Sequence, residues 1–324
     1  MPETHKVSNY PNGFKNTVTI RGVPIVQSHP GQVFWVNSTN VLASDGVLGS
    51  DVPAAGTYQR PYATIDYAIG QCTANRGDII MVMPGHTETV SAAGGITMDV
   101  AGVAVVGLGT GSLRPTITLD TAATATITMS AANTTFKNCI FSAAFADIAE
   151  AITPSATNIT IEDCDFVAAA TNQNFLSIMD TGTTDNACDD FALIGCRWIE
   201  PDTATLTACS IDGDLDGLTI QNCYMNLGVN TSDLPILAIV ATGKDVTNVN
   251  IQNNTLIRLN DANPLLITAD TTTANTGVIR DNTVRHLDTG TELLVTAATN
   301  ISFTNNLCSA AVDASGFLVP AADS

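Results

Sequence analysis

The chain is short of charge and of aromatic rings. Of its 324 residues only 13% are Asp, Glu, Lys or Arg, and only 5% are Phe, Trp or Tyr. Just 12 are Lys or Arg, scattered without a basic patch, against 31 Asp and Glu. The resulting net charge of −19 repels phosphate backbones and anionic headgroups, so neither nucleic acid nor a membrane surface is an expected partner. No stretch approaches the ~18 apolar residues of a membrane-spanning helix. The opening MPETHKVSNY lacks the apolar centre of a secretory signal, which sets an expectation of synthesis in a cytoplasm. No Cys-x-x-Cys or Cys/His cluster suggests zinc, and no Gly-x-Ser-x-Gly marks a serine nucleophile. His5, His29, His86 and His286 are far apart and read as surface or packing residues.

What the chain has is repetition. Seven segments share the pattern apolar-x-apolar-x-[Asn/Asp]-[Cys/Asn]-x-apolar: Thr134–Phe141, Ile159–Phe166, Phe191–Trp198, Leu218–Met225, Val249–Leu256, Gly277–Val284 and Ile301–Cys308. Their fifth positions are Asn138, Asp163, Gly195, Asn222, Asn253, Asp281 and Asn305, with gaps of 25, 32, 27, 31, 28 and 24 residues. A period near 28 lies in the range of stacked repeat architectures. Within each copy apolar residues alternate at period 2, as in Leu218 and Ile220, which marks strands and argues against helical repeats.

Another strand precedes each copy: Ala125–Met129, Ala151–Thr153, Phe175–Asp180, Ala208–Asp212, Ile236–Val240, Leu265–Thr268 and Leu293–Thr296, with Phe317–Pro320 after the last. Ile211, Ile239, Ile267 and Val295 recur at intervals of 28 and are expected to stack. Each repeat therefore holds a strand, a loop, a second strand, a sharp turn and a short third strand, which is one coil of a parallel β-helix. Residues 77–320 hold about nine such coils, roughly 40 Å of shaft at ~4.8 Å per coil. The turn residue is Asn, Asp or Gly in every copy, the types that tolerate a left-handed backbone. Cys139, Cys164, Cys196 and Cys223 follow the turn in four successive coils, and Asn254, Asn282 and Asn306 take that place in the next three. The position should face inward, as a column of small buried groups. Register points neighbouring thiols the same way, which suits disulfides poorly.

The first sixty residues differ. Val18–Val26 and Gln32–Val36 read as strands among Pro and Gly, and residues 1–60 are expected to form an arm for attachment. Residues 61–324 are expected to form the β-helix with its helical cap. Arg60-Pro61-Tyr62 leads into Ala63–Cys72, a short amphipathic helix with Ile65, Ala68 and Ile69 on one face. Arg76-Gly77-Asp78, the strand Ile79–Met83 and Pro84-Gly85-His86 follow. A short helix closing into Gly-Asp, an apolar strand and Pro-Gly resembles the opening coil of right-handed parallel β-helix proteins of the pectin-lyase-like group. The fold class implied is all-β, a right-handed parallel β-helix solenoid with a short N-terminal capping helix and an N-terminal arm. The order VFWVNS, Gly-rich loop, RPYATIDYAI, GDIIMVMPG is similar to proteins found in tailed-phage virions. That resemblance implies a structural virion protein, of the capsid-decoration kind. It also implies a homotrimer, with virion proteins such as the major capsid protein as partners. The fold also carries lyases, hydrolases and tailspikes, so it does not fix function. A helix over the first coil protects strand edges, and no equivalent is visible at the other end. Another subunit, or the chain's own arm, is expected to cover that end.

Candidates for chemistry are few. A glycoside hydrolase needs two carboxylates roughly 5–9.5 Å apart. Asp180, Asp189, Asp190, Asp212, Asp214 and Asp216 are the available ones, and Asp180 and Asp212 could be neighbours on adjacent coils. A lyase wants a cationic side chain beside acids. Arg197 is the only basic residue in 151–230 and lies after the turn, away from those strands. Asp212, Asp214 and Asp216 match the first half of a calcium loop. Cys223 stands where the bidentate Glu should be, so the match is incomplete. The expectation is no catalytic residue, no cofactor and no enzyme, located in a virion. The alternative is a polysaccharide-degrading or glycan-binding β-helix, for which two Trp and five Tyr offer few sugar platforms.

Overall fold

The turn residues set the winding. In the computed structural model of the chain, all seven, from Asn138 to Asn305, have φ between 54° and 65°. Each turns a corner between two strands without reversing the chain. The structure describes residues 18–20, 23–25, 31–38, 47–170, 172–200, 207–227, 237–257, 267–268, 274–285, 295–296, 300–309 and 316–317.

Four N-terminal strands are labelled β1 (Val18–Ile20), β2 (Val23–Ile25), β3 (Val33–Val36) and β4 (Ile79–Val82). β1 and β2 form an antiparallel hairpin of their own. Apart from the parallel pair Leu215–Asp216 and Val246–Thr247, the other described strands build three long sheets, and successive coils add strands to each in order. The first sheet has ten parallel strands, from β3 and β4 to Asn300–Thr304. The second runs from Thr87–Val90 to Leu307–Ser309, and the third has eight strands, from Ile96–Met98 to Val295–Thr296. The architecture is a parallel β-helix. Right-twisted strands joined by parallel crossovers favour the right-handed sense of winding.

Register keeps like residues above like. Phe136, Ile161, Leu193, Ile220, Ile251 and Ile279 align in the first sheet, and all are fully buried. In the second sheet Phe141, Phe166, Trp198, Met225 and Leu256 align, equally buried. Side chains of this size stabilise by roughly 1.5–3 kcal/mol each when withdrawn from water. Phe141 and Phe166 stack with centroids 5.0 Å apart, and Phe136 and Phe175 meet them edge-on.

Three expectations need correction. The boundary at residue 60 falls inside the first coil, because β3 pairs in parallel with β4 and Tyr62 donates to the carbonyl of Trp35. The column expected from the spacing of 28 is out of register: Ile211 pairs with Val240, and Ile239 with Ser210 and Thr268. Only Ile267 and Val295 pair as expected. Coils differ in loop length, so equal spacing in sequence does not guarantee equal height. Finally, the strand expected at Phe317–Pro320 is Gly316–Phe317, which turns back antiparallel along Leu307–Ser309. The chain itself covers that edge of the last coil.

The other end is capped by α1 (Ile65–Ile69), which starts at Thr64 with its hydroxyl accepting from the Tyr67 N–H. Ile65, Ala68 and Ile69 are buried against β3, β4 and Ile96–Met98. Asp78 fastens the cap. Its buried carboxylate accepts from the N–H groups of Gln32 and Thr73, each at 2.7 Å, and from Arg76 Nε and Nη2 at 2.7 and 2.6 Å. Burial alone would raise its pKa; Arg76 and the two amides outweigh that and hold it below the usual carboxylate value.

Candidate functional site

The acidic residues nominated by the sequence separate into two groups. The first lies on the third sheet. Glu150 sits in the strand Ile148–Pro154 and Asp180 ends the next strand of that sheet, Phe175–Asp180. Both are half-buried. Burial pushes the Glu150 carboxyl up, against the donated hydroxyl of Thr153 at 3.0 Å, and the charge of Asp180 adds to the rise. Burial also pushes Asp180 up, the Gly182 N–H at 2.8 Å opposes it, and the nearby Asp212 raises it further. Asp180 and Asp212 are therefore electrostatic neighbours, and Glu150, which the sequence did not nominate, joins them. In register Glu150 aligns with Ser177, three residues before Asp180, so spacing in the sequence did not point to it.

The second group sits at the next corner and builds a ladder. The Asp214 N–H donates to Asp185 Oδ1 at 3.0 Å, the Asp245 N–H to Asp214 Oδ1 at 3.0 Å, and the Ala274 N–H to Asp245 Oδ1. Beside them the Asp216 N–H donates to Asp189 Oδ1 at 2.9 Å. Lys244 Nζ contacts Asp185 Oδ1 at 2.6 Å and, with the Asp214 amide, holds that carboxyl below its usual range. Thr247 and Asn248 donate to Asp216 and lower it likewise. Asp190 takes a left-handed turn at φ 59°, its N–H on the Asp216 carbonyl.

This disposes the calcium-loop candidates differently from the expected pattern. Leu215–Asp216 is a strand paired with Val246–Thr247, not the arc of a chelating loop. Asp214 and Asp216 serve amides and hydroxyls of the neighbouring coil, and Asp212 belongs to the first group. Among the described residues no group of three or more His, Cys, Asp or Glu side chains is placed to hold a metal ion.

The left-handed corner before the first sheet was missed. Asn133, Asn158, Asp190, Gly217 and Asn248 all have positive φ. Each precedes its partner in the first turn column by five residues, a fixed offset that the sequence does contain.

The remaining candidates are structural. Cys139, Cys164, Cys196 and Cys223 are buried and unbridged, and burial pushes the Cys164 thiol up to about 12. Burial raises Cys139 and Cys196 as well, and thiols raised in this way are inert as nucleophiles at neutral pH, whereas the hydrogen bond with Cys196 lowers Cys223. His86 is buried with Nε2 3.2 Å from Glu88 Oε2, which also accepts the Ile65 N–H at the start of α1. His5, His29 and His286 lie outside the described residues. Arg197 is in the second sheet, 3.6 Å from Asp165, which Arg114 also contacts. Trp198 is fully buried, and Trp35 packs on Tyr58.

No protein-family model matches the chain, and no curated protein matches it. Among solved structures it is similar to a rhamnogalacturonan lyase, at 14% identity over 89% of this chain and 90% of that one, with a TM-score of 0.41. The architecture rests on this chain's own strand pairing: it is a parallel β-helix. No activity is inferred from the similarity.

Proposed function

We propose that the chain is a structural protein of a tailed-phage virion, a capsid-decoration component in which an N-terminal segment attaches a rigid shaft to the particle. The carrying observation is that its polar side chains tie coil to coil. Asp185, Asp214, Asp216 and Asp245 hold the neighbouring coil's amides or hydroxyls, and so do Asn254, Asn282 and Asn306. Phe136, Phe141, Phe166, Phe175, Phe191 and Trp198 lie inside the shaft, where they cannot serve as sugar platforms. The resemblance of the opening segment to virion proteins supports the same reading, and it implies a homotrimer. The test is reconstitution on native particles lacking the chain. Full-length protein should bind, and protein lacking residues 1–30 should stay folded and fail to bind. Binding by the truncated chain would refute the attachment role.

A second reading, glycan cleavage, is favoured by one observation: Asp180 has Glu150 and Asp212 as electrostatic neighbours, and burial raises the Glu150 and Asp180 carboxyls. Such hydrolysis requires a pair of carboxyl groups. Incubation with a panel of acidic glycans, scored for reducing ends and unsaturated products, tests it. Turnover abolished in Asp180→Asn would establish this reading and displace the first.

A further inference from the structure

A cavity of about 420 Å³ lies against the cap, lined by Ser38, Thr64, Asp66, Thr87, Glu88 and Thr89. Its two charged residues are both acids. Glu88 is out of place for its register. It aligns with Ile117, and the row continues inside the shaft as Phe141 and Phe166. A charge at the head of an apolar row is costly unless its oxygens are used. The Glu88 side chain is only 10% exposed, yet one oxygen carries all its bonds. Oε2 accepts the Ile65 N–H at 3.0 Å and lies 3.2 Å from His86 Nε2. Oε1 bonds to no described group and keeps access to the cavity.

His86 does not cancel that charge. The imidazole is fully buried and its Nδ1 has no partner. With Nε2–H donated to Glu88, a second proton on Nδ1 would leave an enclosed N–H unsatisfied. The neutral Nε2–H form fits the bonds, so Glu88 keeps its full negative charge. Asp66 Oδ1 accepts the Thr97 N–H at 2.9 Å, and Oδ2 has no described partner.

We propose that this cavity binds a small organic cation bearing a primary ammonium group. An ammonium has three donors and no acceptor, the complement of Glu88 Oε1 and Asp66 Oδ2. Hydrogen bonds between opposite charges are the strong ones, and two carboxylates repel an anionic ligand. The volume is that of an organic ligand site rather than a bare ion. Among the described residues no three His, Cys, Asp or Glu side chains are placed to hold a metal. Thr87 and Thr89 are exposed and offer hydroxyls to a ligand that carries its own, so an amino sugar fits better than a plain diamine. The site shares no residue with the Glu150 group and stands apart from both functional readings.

Calorimetric titration of the full-length chain at about pH 6, where aliphatic amines are charged, tests the site with glucosamine, putrescine and N-acetylglucosamine. At least one of the two amines should bind, and N-acetylglucosamine, whose nitrogen is an uncharged amide, about tenfold or more weakly. The tighter amine shows whether ligand hydroxyls contribute. Glu88→Gln keeps an acceptor for the Ile65 N–H and should weaken amine binding about tenfold or more. Asp66→Asn keeps an acceptor for the Thr97 N–H and should act alike; it reads the site independently if Glu88→Gln disturbs the cap. Binding of neither amine overturns the proposal, as does equal binding of N-acetylglucosamine. Unchanged amine binding in a folded chain carrying either substitution also overturns it.

Discussion

In the coils around Cys164, Cys196 and Cys223 the column beside the left-handed turn is closed by thiols; around Asn254, Asn282 and Asn306 it is closed by carboxamides. The acceptors are the same. Cys164, Cys196 and Cys223 Sγ point to the carbonyls of Phe136, Ile161 and Leu193, at 3.7, 3.5 and 3.5 Å. Asn254, Asn282 and Asn306 Nδ2 point to those of Ile220, Ile251 and Ile279, at 2.9, 3.1 and 2.9 Å. The carboxamide half also receives backbone amides from the preceding coil. The Asn254, Asn282 and Asn306 oxygens take those of Cys223, Asn254 and Asn282, at 2.8, 3.0 and 3.1 Å. A thiol is a weak donor and a weak acceptor, whereas a carboxamide is good at both. One column therefore runs from a loosely to a tightly bonded half, and side-chain size is the lesser part of its role.

The comparison breaks first at Asn282→Ala. That change strips the Asn254 amide of its partner inside the core, and each orphaned group costs about 1–3 kcal/mol. A loss of about 2–4 kcal/mol in urea unfolding is expected. Cys164→Ala should cost less, about 1–2 kcal/mol, mostly lost packing. Equal losses would mean that the column is only a matter of volume.

Charge offers a parallel contrast between Asp180, raised, and Asp78, lowered. For Asp180 the ionised form is the costly one in the folded state. The penalty is absent below the unfolded value of about 3.9 and grows as pH rises through the folded value. Asp180→Asn should therefore raise the melting temperature modestly at pH 7 and leave it unchanged well below pH 4. For Asp78 the sign reverses: its stabilisation is present above the unfolded value and is lost as pH falls through the lower folded one. Asp78→Asn should lose the cap's ion pair and destabilise at neutral pH. The smallest effect is expected for Cys223→Asn, which extends the carboxamide half by one coil. A change within about 0.5 kcal/mol, measured by the same unfolding curve, would show that the two chemistries share one geometry.

Much of this was legible in the sequence, for a physical reason. A left-handed corner admits few residue types, so Asn138, Asp163, Gly195 and their successors mark seven of the coils. Ile65, Ala68 and Ile69 likewise identify the cap by spacing alone. Heights along the shaft were less legible, because loops of different length separate the strands; hence Ile239 lies beside Ser210 and not Ile211. The acid group on the third sheet was half legible. Asp180 and Asp212 could be placed on adjacent coils, but Glu150 joins them through a long strand whose start the alternation does not reveal. The roles of Asp214 and Asp216 were hidden altogether. A carboxylate that accepts a neighbour's amide looks in sequence like one awaiting a cation.

Native-state hydrogen exchange at the amides of Cys223, Asn254 and Asn282 tests the bonded column most directly. These three should exchange only with global unfolding, and Asn282→Ala should release Asn254 while leaving the remote amides of the first coils protected. Exchange of all three within minutes at neutral pH in the unaltered chain would contradict the column and the stacked shaft built on it.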